Sequence, residues 1–178
     1  DQDTKAKEIR EEYVNHVTRM LEYLGDEKPV ANAAAKKILN LETKLAAPRL
    51  DKVQSRDARN FNNRHTMEEV QAMIPSMDLE KFLKESGMTK SVDTLIVTQP
   101  KYVKAVQEFL TTTPIEDIKA LVRWHTMADA AGMLTEEIEV ANWEFFAKYL
   151  KGAKTRRPAD ERALNTVNGT VGEALGQL

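Results

Sequence analysis

Apolar residues recur along most of this chain at intervals of three and four, the period of a helix that buries one side. From about Thr4 to Leu24, Ile9, Tyr13, Val17, Met20, Leu21 and Leu24 form one stripe, with Lys, Arg and Glu opposite and Gly25 marking the end. A second helix is expected from near Pro29 to about Ala46, with Ala34, Ile38, Leu41 and Leu45 facing inward. Residues 48–65 show no period and are rich in arginine and asparagine, which predicts a long ordered loop. Thr66-x-x-Glu69 is a capping-box signal. It precedes a short helix carrying Met67, Val70, Met73 and Ile74 and stopped by Pro75. Another short helix should bury Leu79, Phe82 and Leu83 and close at Gly87.

Thr94 to Thr98 is the one β-like run, and its length suits a strand or a buried extended linker equally. Pro100 opens a helix carrying Tyr102, Val103, Val106, Phe109 and Leu110. Thr113-Pro114-x-Glu116 then predicts a helix start, with threonine as N-cap, proline at N1 and glutamate at N3. That helix should bury Ile118, Leu121, Val122 and Trp124 and end near Gly132. The next, about Thr135 to Leu150, carries Ile138, Ala141, Phe145, Phe146 and Tyr149. After the basic turn from Lys151 to Arg157, Pro158 opens a last helix. Leu164, Val167, Val171, Ala174, Leu175 and Leu178 share one face of it, and no stop signal follows. The expectation is a piece of a longer polypeptide. Within residues 1–178 the pattern predicts a single all-α, antiparallel multi-helix domain of about seven or eight helices with one long loop.

Composition supports that picture. Of 178 residues, 42% are hydrophobic and 30% charged, the balance of a globular chain with a real core. A formal charge of −2 gives no reason to expect a nucleic-acid partner. The absence of cysteine removes disulfides, thiolate metal sites and a thiol nucleophile. No run reaches the roughly eighteen apolar residues of a membrane span, and no signal peptide opens the chain.

Candidate chemistry is sparse. The histidines are His16, His65 and His125, none four residues from another, so no helical pair is preformed to bind zinc. His16 reads as a partly buried boundary residue, His65 as a loop residue before the Thr66 cap, and His125 as a hydrogen-bonded boundary residue. Glu11-Glu12, Glu68-Glu69 and Glu136-Glu137 are adjacent pairs. Neighbours on a helix diverge by about 100°, so they read as solvated surface, not facing acid–base pairs. Arg49, Arg56, Arg59 and Arg64 either pair with nearby acids or form a rim that attracts a peptide carboxylate. Lys151, Lys154, Arg156 and Arg157 read as the charged end of a helix hairpin. Trp124, Trp143, Phe145 and Phe146 read as core, not as an exposed stacking platform. There is no nucleophile elbow, phosphate loop or dinucleotide fingerprint.

Five segments nevertheless carry a resemblance in consistent order. Leu39-x-Leu41-Glu42-x-x-Leu45-Ala46, Arg56-Asp57 with Asn63-x-x-Thr66, Gln99-Pro100-x-Tyr102 and Leu121-x-Arg123-Trp124 are four. Pro158…Arg162, Val167-Asn168 and Gly172-Glu173-Ala174-Leu175-Gly176-x-Leu178 make up the fifth. Together they resemble the neprilysin-like zinc metalloendopeptidases, across all of this chain but only a middle portion of the family's longer polypeptide. Asp160 and Asn62 stand where the family has tryptophan and tyrosine. Ala163 stands where animal members often have cysteine, so the chain resembles a bacterial member.

The resemblance implies two mostly helical lobes around a chamber, one of them holding zinc through His-Glu-x-x-His and a further glutamate. That signature is absent here. This chain would then be a segment of the non-catalytic lobe, with no catalytic, cofactor-binding or metal-binding residue of its own. Zinc would belong to the parent enzyme. Its partners would be the catalytic lobe of the same polypeptide and the parent's peptide substrates. The parent would be periplasmic, in the cell envelope or extracellular, with any secretion signal ahead of Asp1. A free-standing helical protein-binding scaffold would satisfy the same binary pattern.

Overall fold

The computed structural model describes residues 4–177, so Leu178, assigned above to the last apolar face, lies outside the described residues. Its helices are α1 (Thr4–Tyr23), α2 (Lys28–Ala46), α3 (Met67–Met73), α4 (Leu79–Glu85), α5 (Pro100–Thr112), α6 (Ile115–Ala130), α7 (Glu136–Trp143) and α8 (Ala159–Leu175). Two short strands, β1 (Arg64–Thr66) and β2 (Thr94–Ile96), pair antiparallel with His65 opposite Leu95. No helix among the described residues is long and apolar enough to cross a membrane.

The α1–α2 hairpin is the centre of the fold. Gly25 takes φ +92°, a left-handed conformation that L side chains rarely adopt. Asp26 N–H bonds the Leu21 carbonyl and Gly25 N–H bonds that of Glu22, which closes α1 in a Schellman turn. Ala31 and Ala35 on α2 are fully buried, and their small size lets α2 approach Val17, Met20 and Leu21 of α1 closely. Leu121, Trp124 and Met127 of α6, with Ala131 and Ala141, complete the core. A polar chain threads it: Trp124 Nε1–H donates to Tyr13 Oη (2.8 Å), and Tyr13 donates to Glu42 Oε1 (2.8 Å). Burial, and then Glu42 beside it, push the Tyr13 phenol well above its ordinary value.

Several expectations are corrected. The β-like run, left open between strand and linker, is a strand over Thr94–Ile96, whereas the long loop opposite it is not featureless but holds two 3₁₀ turns (Gln54–Arg56, Ala58–Phe61) and the start of β1. His65 is therefore a strand residue. Thr113 does not cap α6; its N–H closes α5 on the Phe109 carbonyl, and Pro114 occupies the N-cap. Val122 is 57% exposed because α6 buries the Leu121, Trp124, Met127 stripe and turns Val122 away. Leu24, Phe82 and Leu110 are exposed as well. The helix expected over 135–150 changes pitch: after α7 it continues as a π-helical segment, Glu144–Tyr149. The capping box at Thr66 and Glu69 is present as the spacing predicts.

Candidate functional site

The three histidines sit in three settings. His65 on β1 places Nδ1 3.4 Å from Glu69 Oε2, and the exposed His125 on α6 places Nε2 3.1 Å from Glu42 Oε1. His16 is not the boundary residue its position suggested: it is 3% exposed. No three His, Asp or Glu side chains among the described residues are arranged to hold a metal ion. Among the described residues, the donors present do not fit a zinc centre.

His16 is the centre of an aromatic cluster. Its ring lies parallel to Phe145 (centroids 4.8 Å apart, 8° between planes), and Trp124 and Phe146 meet it edge-on at 5.6 and 5.4 Å. Both imidazole nitrogens and the Oδ1 of Asn142 are buried with no hydrogen-bond partner. Burial, then the Arg19 charge, push His16 down to about 4 against an opposing effect of Asn142, so the ring is neutral at neutral pH.

The π segment builds the other wall. Leu150 N–H reaches back to the Phe145 carbonyl, five residues away, so the turn is wider than an α turn. The Phe145 and Tyr149 rings then lie 6.0 Å apart and nearly parallel. Arg19 fastens the change of pitch to α1, donating from Nη2 to the Ala141 carbonyl (3.1 Å) and from Nη1 to Glu144 (2.9 Å). Between α1 and this segment lies a cleft of about 620 Å³. Glu12, Asn15, His16 and Arg19 line one side, and Glu144, Phe145, Lys148 and Tyr149 the other. Apolar periodicity signals a helix here but cannot show the wider turn, because one added residue per turn leaves the same residue types in place.

The loop arginines enter separate contacts. Arg59 pairs with Asp57 through Nε and Nη2 (2.9 and 2.7 Å) and holds that carboxyl below its usual range. The Arg49 guanidinium lies 5.0 Å over the Tyr102 ring, while Arg56 and Arg64 are exposed. Among the carboxylates, Glu69 closes the capping box and Glu11, Glu12, Glu68 and Glu137 are exposed. Trp124 and Phe145 are buried, whereas Trp143 and Phe146 are half-buried.

Arg156 is not a solvated end of the basic turn: its side chain is 16% exposed and pairs with both Glu136 and Glu139. Arg162 of α8 joins them, with Nε 2.6 Å from Glu139 Oε1 and Nη2 3.7 Å from Glu136 Oε2. These four charges tie α8 to α7. No residue of α8 is buried; Leu164, Val167, Val171 and Leu175 all face outward.

The model of peptidase family M13, for its N-terminal part, matches residues 1–178. Among solved structures, the zinc metalloprotease Zmp1 of Mycobacterium tuberculosis is similar in three states. In its open state it matches with a TM-score of 0.86 at 27% identity, over 99% of this chain and 28% of that one. Its inhibitor complex gives a TM-score of 0.88 at 27% identity, over 99% and 27%. A partially open state gives 0.76 at 26% identity, over 99% and 27%. The chain spans little more than a quarter of the length of these proteins. The motifs from Leu39 to Gly176, the fold and the whole-length family match agree: this chain belongs to peptidase family M13, as part of the N-terminal domain.

Proposed function

We propose that this chain is a non-catalytic helical segment of a zinc metalloendopeptidase, forming part of the wall of a chamber that admits only small peptides. The observation that carries this reading is the match of 99% of the chain to 28% of a zinc metalloprotease. The remaining length of such a protein is where a catalytic zinc site would lie, since no ligand set for it is assembled among the described residues. The outward apolar face of α8 supports a docked position, because apolar side chains in a row on one helix gain by being covered. The described core, built on α1, α2 and α6, supplies the rigidity a wall requires. By family resemblance the parent works outside the cytoplasm.

The test compares two preparations. The purified 178-residue chain should release no product from a fluorogenic peptide and should hold no stoichiometric zinc by elemental analysis. The full-length parent should do both, and should cleave short peptides far faster than folded proteins. Zinc-dependent cleavage by the pure chain would overturn the non-catalytic assignment. Equal cleavage of folded proteins by the parent would overturn the chamber.

A further inference from the structure

We propose that the cleft between α1 and the π segment is a binding site for a short zwitterionic peptide carrying an apolar side chain. Three independent observations converge there. The first is His16: neither ring nitrogen makes a well-formed hydrogen bond, Asn142 being a polar neighbour, and burying polar groups so poorly satisfied is costly by their desolvation. A neutral imidazole offers one donor and one acceptor, the same complement as one peptide group.

The second is the change of helical pitch. A π segment gives up regular α geometry, and such segments occur frequently at functional sites. Here its effect is to present Phe145 and Tyr149 as one aromatic wall beside His16. The third is charge. Arg19 and Glu144 neutralise each other across the cleft. Glu12 on α1 and Lys148 on the π segment line it with no ion-pair partner among the described residues. One unpaired acid and one unpaired base on facing elements match a free ammonium and a free carboxylate on the same ligand. The volume, about 620 Å³, lies in the range of small-molecule sites.

The parts assign roles. Glu12 receives the ammonium, Lys148 the carboxylate, and the aromatic wall the apolar side chain. His16 meets the peptide group. Its nitrogens are closed to solvent, so the wall must rotate slightly as the ligand enters. The site is independent of the chamber reading, because its binding is measured on this chain without zinc or hydrolysis.

The probe is the dipeptide Ala-Phe, titrated into the isotopically labelled chain and followed by NMR. Saturable shifts are expected at His16, Asn15, Tyr149 and the Trp124 indole. The N-acetylated, C-amidated dipeptide should bind at least tenfold more weakly, and Glu12→Gln and Lys148→Gln each several-fold more weakly. His16→Phe keeps the stacked ring and removes both orphaned nitrogens. It should melt no lower than the original chain and yet lose tenfold or more in affinity. A site that is only structural would show the opposite: no saturable shifts, equal binding of the blocked dipeptide, or unchanged affinity in His16→Phe. Any of these overturns the proposal.

Discussion

A single buried imidazole gives this chain an acid sensitivity that its composition does not show. His16 titrates near 6.5 when unfolded and at about 4 when folded, so between those values the unfolded chain binds the extra proton. Its contribution to stability is therefore complete above about pH 6.5 and is lost as pH falls towards 4. At about 1.4 kcal/mol per pH unit the loss reaches an upper limit of about 3 kcal/mol. The charged groups around it are Arg19, Glu12, Glu144 and Lys148. Carboxylates elsewhere also titrate at the acid end, so the comparison is with His16→Phe. Urea unfolding from pH 7 to 4 should show a steeper fall for the original chain than for this variant; parallel curves would refute the assignment. The sequence placed His16 at the edge of the α1 stripe because Val17 and Met20 define that stripe locally. What buries it is Phe145, 129 positions away, and local periodicity carries no information about that encounter.

Elements were legible where their ends are set by their own residues. The box at Thr66 and Glu69 forms because both partners lie within one turn. The Schellman turns at Gly25 and Gly87 form for the same reason. Thr113-Pro114-x-Glu116 carries nearly the same signature, yet Thr113 is spent on the end of α5. With helices this close, one residue cannot serve both. The contrast is measurable: Thr66→Ala should cost about 1 kcal/mol, whereas Thr113→Ala should cost almost nothing. Denaturant midpoints at constant slope would check both, and equal losses would contradict the assignment of caps. The β1–β2 pair stayed open in the sequence because three-residue strands depend on a partner some thirty residues away.

At the scale of the whole molecule, the all-α architecture and the family were readable from periodicity and from motifs spread along the chain. The arrangement of the ion-paired cluster was not. Arg156 and Arg162 are ordinary surface cations in a sequence, and only the turn that sets the start of α8 beside α7 brings them onto Glu136 and Glu139. Beyond that cluster, α8 presents Leu164, Val167, Val171 and Leu175 to solvent. The isolated chain should therefore self-associate with rising concentration, and Leu164→Gln with Val171→Gln should restore the monomer without changing the melting temperature by more than a degree or two. Sedimentation velocity would decide, and a wild-type chain that stays monomeric at high concentration would refute the exposed face as an association surface.

The charge cluster has a mechanical consequence. Arg162 grips α8 near its first turn, and the helix then runs on for a further 13 residues to Leu175. At 1.5 Å per residue that is a lever arm of about 20 Å, so a tilt of about 10° at the grip displaces the far end by roughly 3 to 4 Å. Charges at a partly wet surface can re-pair at small cost and are screened by salt, while a packed core resists gradual deformation. In this chain the stiff part and the adjustable part are thus separate: α1, α2 and α6 hold the shape, and four side chains set the aim of α8.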